Sequence, residues 1–348
     1  MDEQVLEQVP QQVPQQVPER DARVLDVVVV GGGPAGLSGA VALARSRRRV
    51  VVVDAGRPRN APAEGAHNYL SRDGVAPREL LAIGRRELAG YGGEVVDGEV
   101  AAARRLEGAE PGAERFEVVL ADGRALCSRA LLVTAGVVDE LPEVPGVRER
   151  WGRDVVHCPY CHGWEVREQP IAVLATSPLS FHQVLVWRQL SADVALVLHG
   201  AEPSEEQREQ FDALGIAVVE GPAAALRVEG DALVGVELAG GRVLPARALA
   251  VASRPVVRAP FLAGLGLAPV DVEVMGHVVG SALRAGPAGS TDVPGLRVAG
   301  NVADPMAQVG SSAAAGVMAG AALNADLIAE DAAAAVARRR AGAAAPVL

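Results

Sequence analysis

Four valines, Val27 to Val30, run straight into Gly31-Gly32-Gly33-Pro34-Ala35-Gly36, and this junction constrains the fold more than any other stretch of the chain. An unbroken apolar strand of that kind is buried on both faces of a parallel sheet. A helix follows to about Arg45, and Val50 to Val53 form a second strand ending on Asp54. Strand, GxGxxG, helix, strand and acid together form the context that turns a glycine pattern into a nucleotide fingerprint. Gly31 permits the tight turn, Gly33 lets the backbone approach a pyrophosphate, and Gly36 lets helix and strand pack closely. Pro34 and Ala35 open the helix, whose N-terminus suits the phosphates, and Asp54 can bind a ribose hydroxyl.

A hairpin comes next, Phe116 to Leu120, a turn at Asp122-Gly123, then Ala125 onward. A further strand, Ala130 to Val133, runs into Thr134-Ala135-Gly136. From Ile171 the pattern starts again. Ile171 to Leu174 repeats Val27 to Val30 at an offset of 144 residues, and the two copies run without a gap to Asp54-Ala55-Gly56 and Leu198-His199-Gly200. The second copy has its own hairpin, Leu233 to Leu238 and from Val243, and its own following strand, Ala248 to Ala252. The chain is therefore an α/β protein of two related Rossmann-like, three-layer units. The second has lost the fingerprint: Ala175, Ser177 and Ser180 replace the three glycines, and Leu198 replaces Asp54. Each added Cβ obstructs a turn, a phosphate or a helix contact, and leucine cannot accept from a ribose. No Arg lies in His199 to Glu206 to hold a 2′-phosphate. The nicotinamide-type unit keeps its fold and loses its ligand.

After Arg254 the chain returns to the first unit. Pro294 to Asn301 reads as a strand ending in glycine, and Gly310 to about Ala337 as an Ala-rich helix. The Arg338-Arg339-Arg340 cluster suits that helix's C-terminus. The expected boundaries are an unstructured segment at 1–23, carrying a Gln-Gln-Val-Pro repeat, a cofactor unit at 24–140 and 255–348, and a second unit at 141–254.

The net charge of −10 argues against nucleic acid. All 33 basic residues are Arg, which excludes a Schiff-base lysine and a Walker-type phosphate lysine. The N-terminus has no basic n-region of a secretory signal, and the apolar run Val24 to Ala44 is broken by Asp26, Pro34 and glycines, so no membrane span is expected. The expected compartment is the cytoplasm, where three cysteines point to thiol chemistry rather than to a disulfide framework.

Cys158 and Cys161 are spaced C-x-x-C just before the second unit. Zinc would need two further ligands, Cys127 stands apart, and His157 and His162 are too near in sequence, so no metal is expected. A redox dithiol fits better, since this spacing closes a small ring and allows a depressed thiolate pKa. His162 abuts the pair and is placed to move protons near neutral pH, with Glu165 as a candidate to orient it. Cys127 reads as a small core residue, and His67, His182, His199 and His277 as ordinary polar residues.

Together these residues resemble the low-molecular-weight thioredoxin reductases over nearly all of 24–337. The matching pieces are Gly31 to Gly36, Ala135-Gly136 after Thr134, Cys158 to Cys161, and Ala299-Gly300-Asn301 followed by Gln308. The resemblance implies FAD as cofactor, held by those residues, and a homodimer. Three departures stand out: the lost nucleotide motif of the second unit, His162 where the reductases carry an acid, and Asn301 where their AGD motif carries Asp. The first two resemble the dithiol-oxidase branch, the gliotoxin- and holomycin-forming enzymes, to whose motif Cys158-Pro159-Tyr160-Cys161-His162-Gly163-Trp164-Glu165 is similar. That branch implies closure of a disulfide in a small natural-product dithiol, with electrons passing to O2 to give hydrogen peroxide. By analogy with the reductases, Cys158 would exchange with substrate and Cys161 would face the flavin. A disulfide reductase fed by a donor other than NADPH, and a non-catalytic flavin sensor, are the alternative readings.

Overall fold

The computed structural model describes residues 19–20, 24–108 and 112–342. Two parallel sheets organise them. In the first unit the order is Glu94–Asp97, Val50–Asp54, Leu25–Val30, Arg124–Val133 and, beyond it, Leu296–Val298, all parallel. The return strand thus completes the first sheet after a detour of more than a hundred residues. In the second unit the order is Ala217–Val219, Val194–Leu198, Ile171–Ala175, Ala248–Val251 and Val155–Val156, again all parallel. Each unit adds a three-stranded antiparallel sheet on one side. The two-unit α/β architecture read from the repeat is the architecture present.

The copies differ in one place the sequence does not suggest. The hairpin's second strand and the strand at Ala130–Val133 are one strand of 10 residues, Arg124–Val133, buried from Ala125 onward. Its first half pairs with Phe116–Leu120 and its second half with Leu296–Val298. No turn residue interrupts it. In the second unit Pro245 removes a ladder donor, and the corresponding stretch stays divided into Val243–Pro245 and Ala248–Val251. The N-terminal segment also differs at its end. Glu19–Arg20 pair parallel with Arg124–Ala125, while most of 1–23 lies outside the described residues.

The fingerprint turn is built as its spacing requires. Gly31 has φ +103°, and a Cβ there would lie 2.4 Å from the Thr134 carbonyl oxygen. At Gly36 a Cβ would lie 1.8 Å from the Gly31 carbonyl oxygen, so the helix Pro34–Arg45 sits flush on the strand. On its other side runs the C-terminal helix Val309–Arg340, again backbone to backbone. A Cβ on Gly316 would meet the Ala35 carbonyl at 2.0 Å, and one on Gly320 the Gly39 carbonyl at 2.7 Å. The 32-residue helix is long and apolar enough to cross a membrane by length and composition, but this packing makes it a core helix. Arg338 to Arg340 form its last turn.

An arginine cluster fastens the same helix. Buried Arg129 reaches Asp26 at 3.1 Å, Glu330 at 3.0 Å and Asp331 at 2.6 Å. Arg48 takes the other Asp331 oxygen at 2.7 Å and Asn324 at 2.8 Å. A guanidinium fork serves several acceptors at once, which an ammonium does less well. Removing one partner from such a buried cluster strands charge. Arg129→Ala is expected to lower unfolding free energy by about 3 kcal/mol, and Arg129→Lys to recover only part of it, measured by denaturant titration.

Candidate active site

One cleft of about 640 Å³ runs from the fingerprint turn to the cysteine pair, lined at its ends by Gly31 to Ala35 and by Cys158 to His162. At the first end the helix Pro34–Arg45 has no side-chain cap and no acid in its first turn, so its free N–H groups and dipole favour an anion. A Cβ built on Gly33 would meet nothing within 4 Å: here glycine leaves room in the cleft rather than relieving a clash. Asp54 lies at the cleft's edge with one oxygen 2.5 Å from the Arg85 guanidinium, which also holds Asp97 at 2.8 Å. Thr134 donates to the Val30 and Gly31 carbonyls at 2.9 and 2.8 Å, which carries Ala135 and Gly136 onto the cleft wall. An uncapped helix, an open glycine and an acid at the next strand's end fit the pyrophosphate and ribose of a dinucleotide.

The return segment closes the cleft's middle. Gly300 sits against Ala35, and Asn301 donates from its amide to the carbonyls of Asp304, Pro305 and Ala307 at 3.1, 3.2 and 2.9 Å. Asn301 therefore shapes its own loop, a job a carboxylate cannot do because it has no donor. That loop delivers Gln308, the residue before the C-terminal helix, with its amide nitrogen 4.0 Å from Cys158 Sγ. Gln308, expected among the cofactor residues, reaches the redox pair as well.

Cys158 precedes the single helical turn Pro159–His162, with Cys161 inside it, and both are present as thiols. The Cys161 thiol donates to Cys158, and the N–H groups of Cys161 and Tyr160 add to it. Together with the Arg59 charge they outweigh burial and bring the Cys158 pKa down to about 7. The same hydrogen bond, burial and the neighbouring thiolate push the Cys161 pKa up. The pair is thus divided at neutral pH into a nucleophile and a proton holder.

His162 lies beside them with both ring nitrogens buried and without a hydrogen-bond partner among the described residues. Burial holds its pKa down, against the pull of the Glu165 charge, so the ring is neutral and able to take a proton. Glu165, expected to orient His162, instead meets His67 Nε2 at 3.4 Å. His67 was read as an ordinary polar residue; it lies in the cleft wall between Glu165 and Asp73. Its neighbour Asn68 donates to the Tyr160 carbonyl at 2.6 Å. A second missed group joins Arg59, Asp139, Ser253 and His157. Arg59 grips Asp139 with two nitrogens at 2.7 and 2.6 Å, and Ser253 donates to Asp139 at 2.8 Å. These residues are far apart in sequence and follow no fixed spacing, so no motif signals them.

In the second unit the positions matching the fingerprint carry side chains that belong to the core. Leu198 is buried among Val173, Phe181 and Phe211, and Ser180, fully buried, donates to the Leu174 carbonyl at 3.2 Å. Arg208, just beyond the loop after Leu198, is paired with Glu202 and Glu220 at 2.8 and 3.1 Å.

A family model described as pyridine nucleotide-disulphide oxidoreductase matches residues 25–319. The chain belongs to this family. It is accordingly an oxidoreductase of a family whose members are typically flavoproteins. The protein is similar to a structure titled as that of HlmI, at 45% identity and a TM-score of 0.84, covering 94% of this chain and 100% of the other. It is also similar to an oxidoreductase from Agrobacterium tumefaciens, at 34% identity and a TM-score of 0.80, covering 88% and 99%. Among curated relatives, the thioredoxin reductase tcpT of Claviceps purpurea is 34% identical over 189 residues, 52% of this chain and 57% of that one. The thioredoxin reductase sirT of Leptosphaeria maculans is 28% identical over 328 residues, 89% and 97%. The chain spans about half the length of the first curated relatives it matches.

In the reduced protein, alkylation of Cys158 by iodoacetamide should rise with pH around a midpoint near 7, because only the thiolate reacts. Cys161→Ala removes the principal hydrogen bond and should move that midpoint up, read from alkylation rate against pH.

Proposed function

We propose that this chain is an FAD-dependent dithiol oxidase. It closes a disulfide within a small-molecule dithiol and passes the electrons through Cys158 and Cys161 to FAD and then O2, giving hydrogen peroxide. The observation that carries this reading is the contrast between the two units. The cysteine pair shares one cleft with an open nucleotide fingerprint, while the second unit has Ser180 and Leu198, both buried, where the first has Gly36 and Asp54. Without the glycine and the acid that would hold NADPH, electrons would enter through the thiols.

Gly31, Gly33, Pro34, Ala35 and Gly36 would hold the pyrophosphate, Asp54 the ribose, and Ala135, Gly136, Gly300, Asn301 and Gln308 the remaining wall. Bound there, FAD supplies a two-electron acceptor that O2 can reoxidise. From the oxidised pair, a substrate thiolate attacks Cys158 Sγ and breaks the Cys158–Cys161 bond, releasing the Cys161 thiolate. The substrate's second thiolate then attacks its own mixed-disulfide sulfur and frees Cys158. The low pKa of Cys158 makes it the better leaving group at this step. The released Cys161 thiolate takes up a proton lost by the substrate thiols, as its raised pKa requires; to pass electrons onward it must give that proton up again, and neutral His162 would accept it. Tyr160 and Met306, exposed at the cleft wall, suit an apolar small substrate. A homodimer in the cytoplasm is what the family likeness implies.

A second reading, a thioredoxin reductase fed by another donor, is favoured by the names of the curated relatives. Anaerobic spectra separate the two. The yellow protein should bleach with a small dithiol and resist NADPH, and air should restore the colour with one peroxide per dithiol. Rapid bleaching by NADPH sinks the oxidase reading. His162→Ala should slow bleaching by dithiol about 100-fold at neutral pH while leaving FAD bound. Because burial holds the His162 pKa below the ordinary imidazole range, protonation of the ring should add its own loss of rate only on the acid side of that range, on top of the steady fall from loss of substrate thiolate, checked by stopped-flow absorbance against His162→Ala.

A further inference from the structure

We propose that Asp139, gripped by Arg59, is the positioning residue that fixes the second unit, and with it the cysteine pair, against the flavin pocket. Among the described residues the chain passes between the units twice, through Val138–Glu140 on the way out and Arg254–Val256 on the way back. These crossings pair with each other over three residue pairs, a short ladder for a joint that carries the whole second unit. Two ion-pair systems reinforce it. Glu140 meets Arg254 at 2.6 Å and Arg258 at 2.8 Å, but both arginines are exposed and Glu140 is only half-buried, and surface pairs contribute little. Asp139 is different: its side chain is only 7% exposed and its contacts lead inward.

From Asp139 two bonded routes converge on Cys158. Along the first, Arg59 holds Asp139 with its fork and donates to the Pro305 carbonyl at 3.1 Å. Pro305 belongs to the loop gathered by Asn301, and that loop ends on Gln308 beside Cys158. Along the second, Ser253 on the returning crossing donates to Asp139 and lies 3.4 Å from His157 Nδ1, one residue before Cys158. Gln183 ties the His157 carbonyl to the second unit at 2.7 Å. Both crossings, the cofactor unit and the redox turn therefore meet at one carboxylate. Electron exchange between a thiolate and a flavin needs contact, so a small swing of the second unit would break it. Neither Arg59 nor Asp139 touches a sulfur; both act on position through Gln308 and His157, and Arg59 besides lowers the Cys158 pKa by its charge, so Asp139→Asn, which keeps that charge, is the decisive variant.

This inference rests on flavin occupying the cleft, and its test does not ask which dithiol or which oxidant the protein uses. Asp139→Asn and Arg59→Gln are compared with Asp139→Glu and Arg59→Lys in two measurements. In the first, amide hydrogen exchange in Val138–Glu140 and Arg254–Val256 should quicken about tenfold or more in the neutral variants, as loss of a charged hydrogen bond implies. In the second, the FAD-loaded protein is titrated anaerobically with dithionite. The long-wavelength thiolate-to-flavin absorbance should be lost in the neutral variants and partly regained in the charged ones, with the main flavin band unchanged. Exchange within twofold of wild type, or faster exchange with that absorbance intact, would overturn the proposal. A protein that fails to make peroxide but loses the absorbance on Asp139→Asn refutes the oxidase reading and leaves the clamp standing.

Discussion

The contact between two helix backbones at Ala35–Gly39 and Gly316–Gly320 is the constraint from which the rest follows. Side chains normally hold helix axes 8–10 Å apart, and removing the Cβ atoms lets carbonyls and Cα atoms touch directly. That closeness sets where the C-terminal helix begins. Its start places Gln308 and the loop gathered by Asn301 beside the nucleotide turn rather than a turn's width away. Arg129 and Arg48 then fasten the far end of the same helix through Asp26, Asp331 and Glu330. The cofactor pocket is assembled from segments nearly 300 residues apart because two glycine stripes let them meet.

The electrostatics of the site follow from hydrogen bonding more than from net charge. A single thiol-to-thiol hydrogen bond moves the two cysteines in opposite directions, so each residue's role depends on the other's proton. His162 enters as a neutral ring because it is buried without partners. Burial and the Arg59 charge together keep His157 neutral as well. A chain with ten net negative charges thus holds its reactive centre in a neutral, partly dry pocket, where one guanidinium has more reach than in water.

What could be read from residues alone was the part governed by local rules. The fingerprint, the repeat at 144 residues and the C-x-x-C pair each obey a spacing, and each lies where its spacing requires. The buried place of Leu198 in the second unit agrees with the loss of the acid there, since a missing residue is as visible in a repeat as a present one. The failures share a cause. His67, Arg59, Asp139 and Ser253 act through contacts made only when distant segments meet, and no period marks them. Glu165 was assigned to His162 by nearness in sequence, yet it turns to His67. The strand Arg124–Val133 is continuous where the sequence suggests two pieces, because no proline stands in the first copy where Pro245 breaks the second.

Asn301 shows how a substitution can become hard to undo. Its amide nitrogen faces three carbonyl oxygens, those of Asp304, Pro305 and Ala307. An aspartate in that place would point a negative charge at the same three oxygens and offer them nothing. An acid at this position would therefore demand a different loop: the carbonyls of Asp304, Pro305 and Ala307 would have to turn away, and with them the segment that brings Gln308 to Cys158.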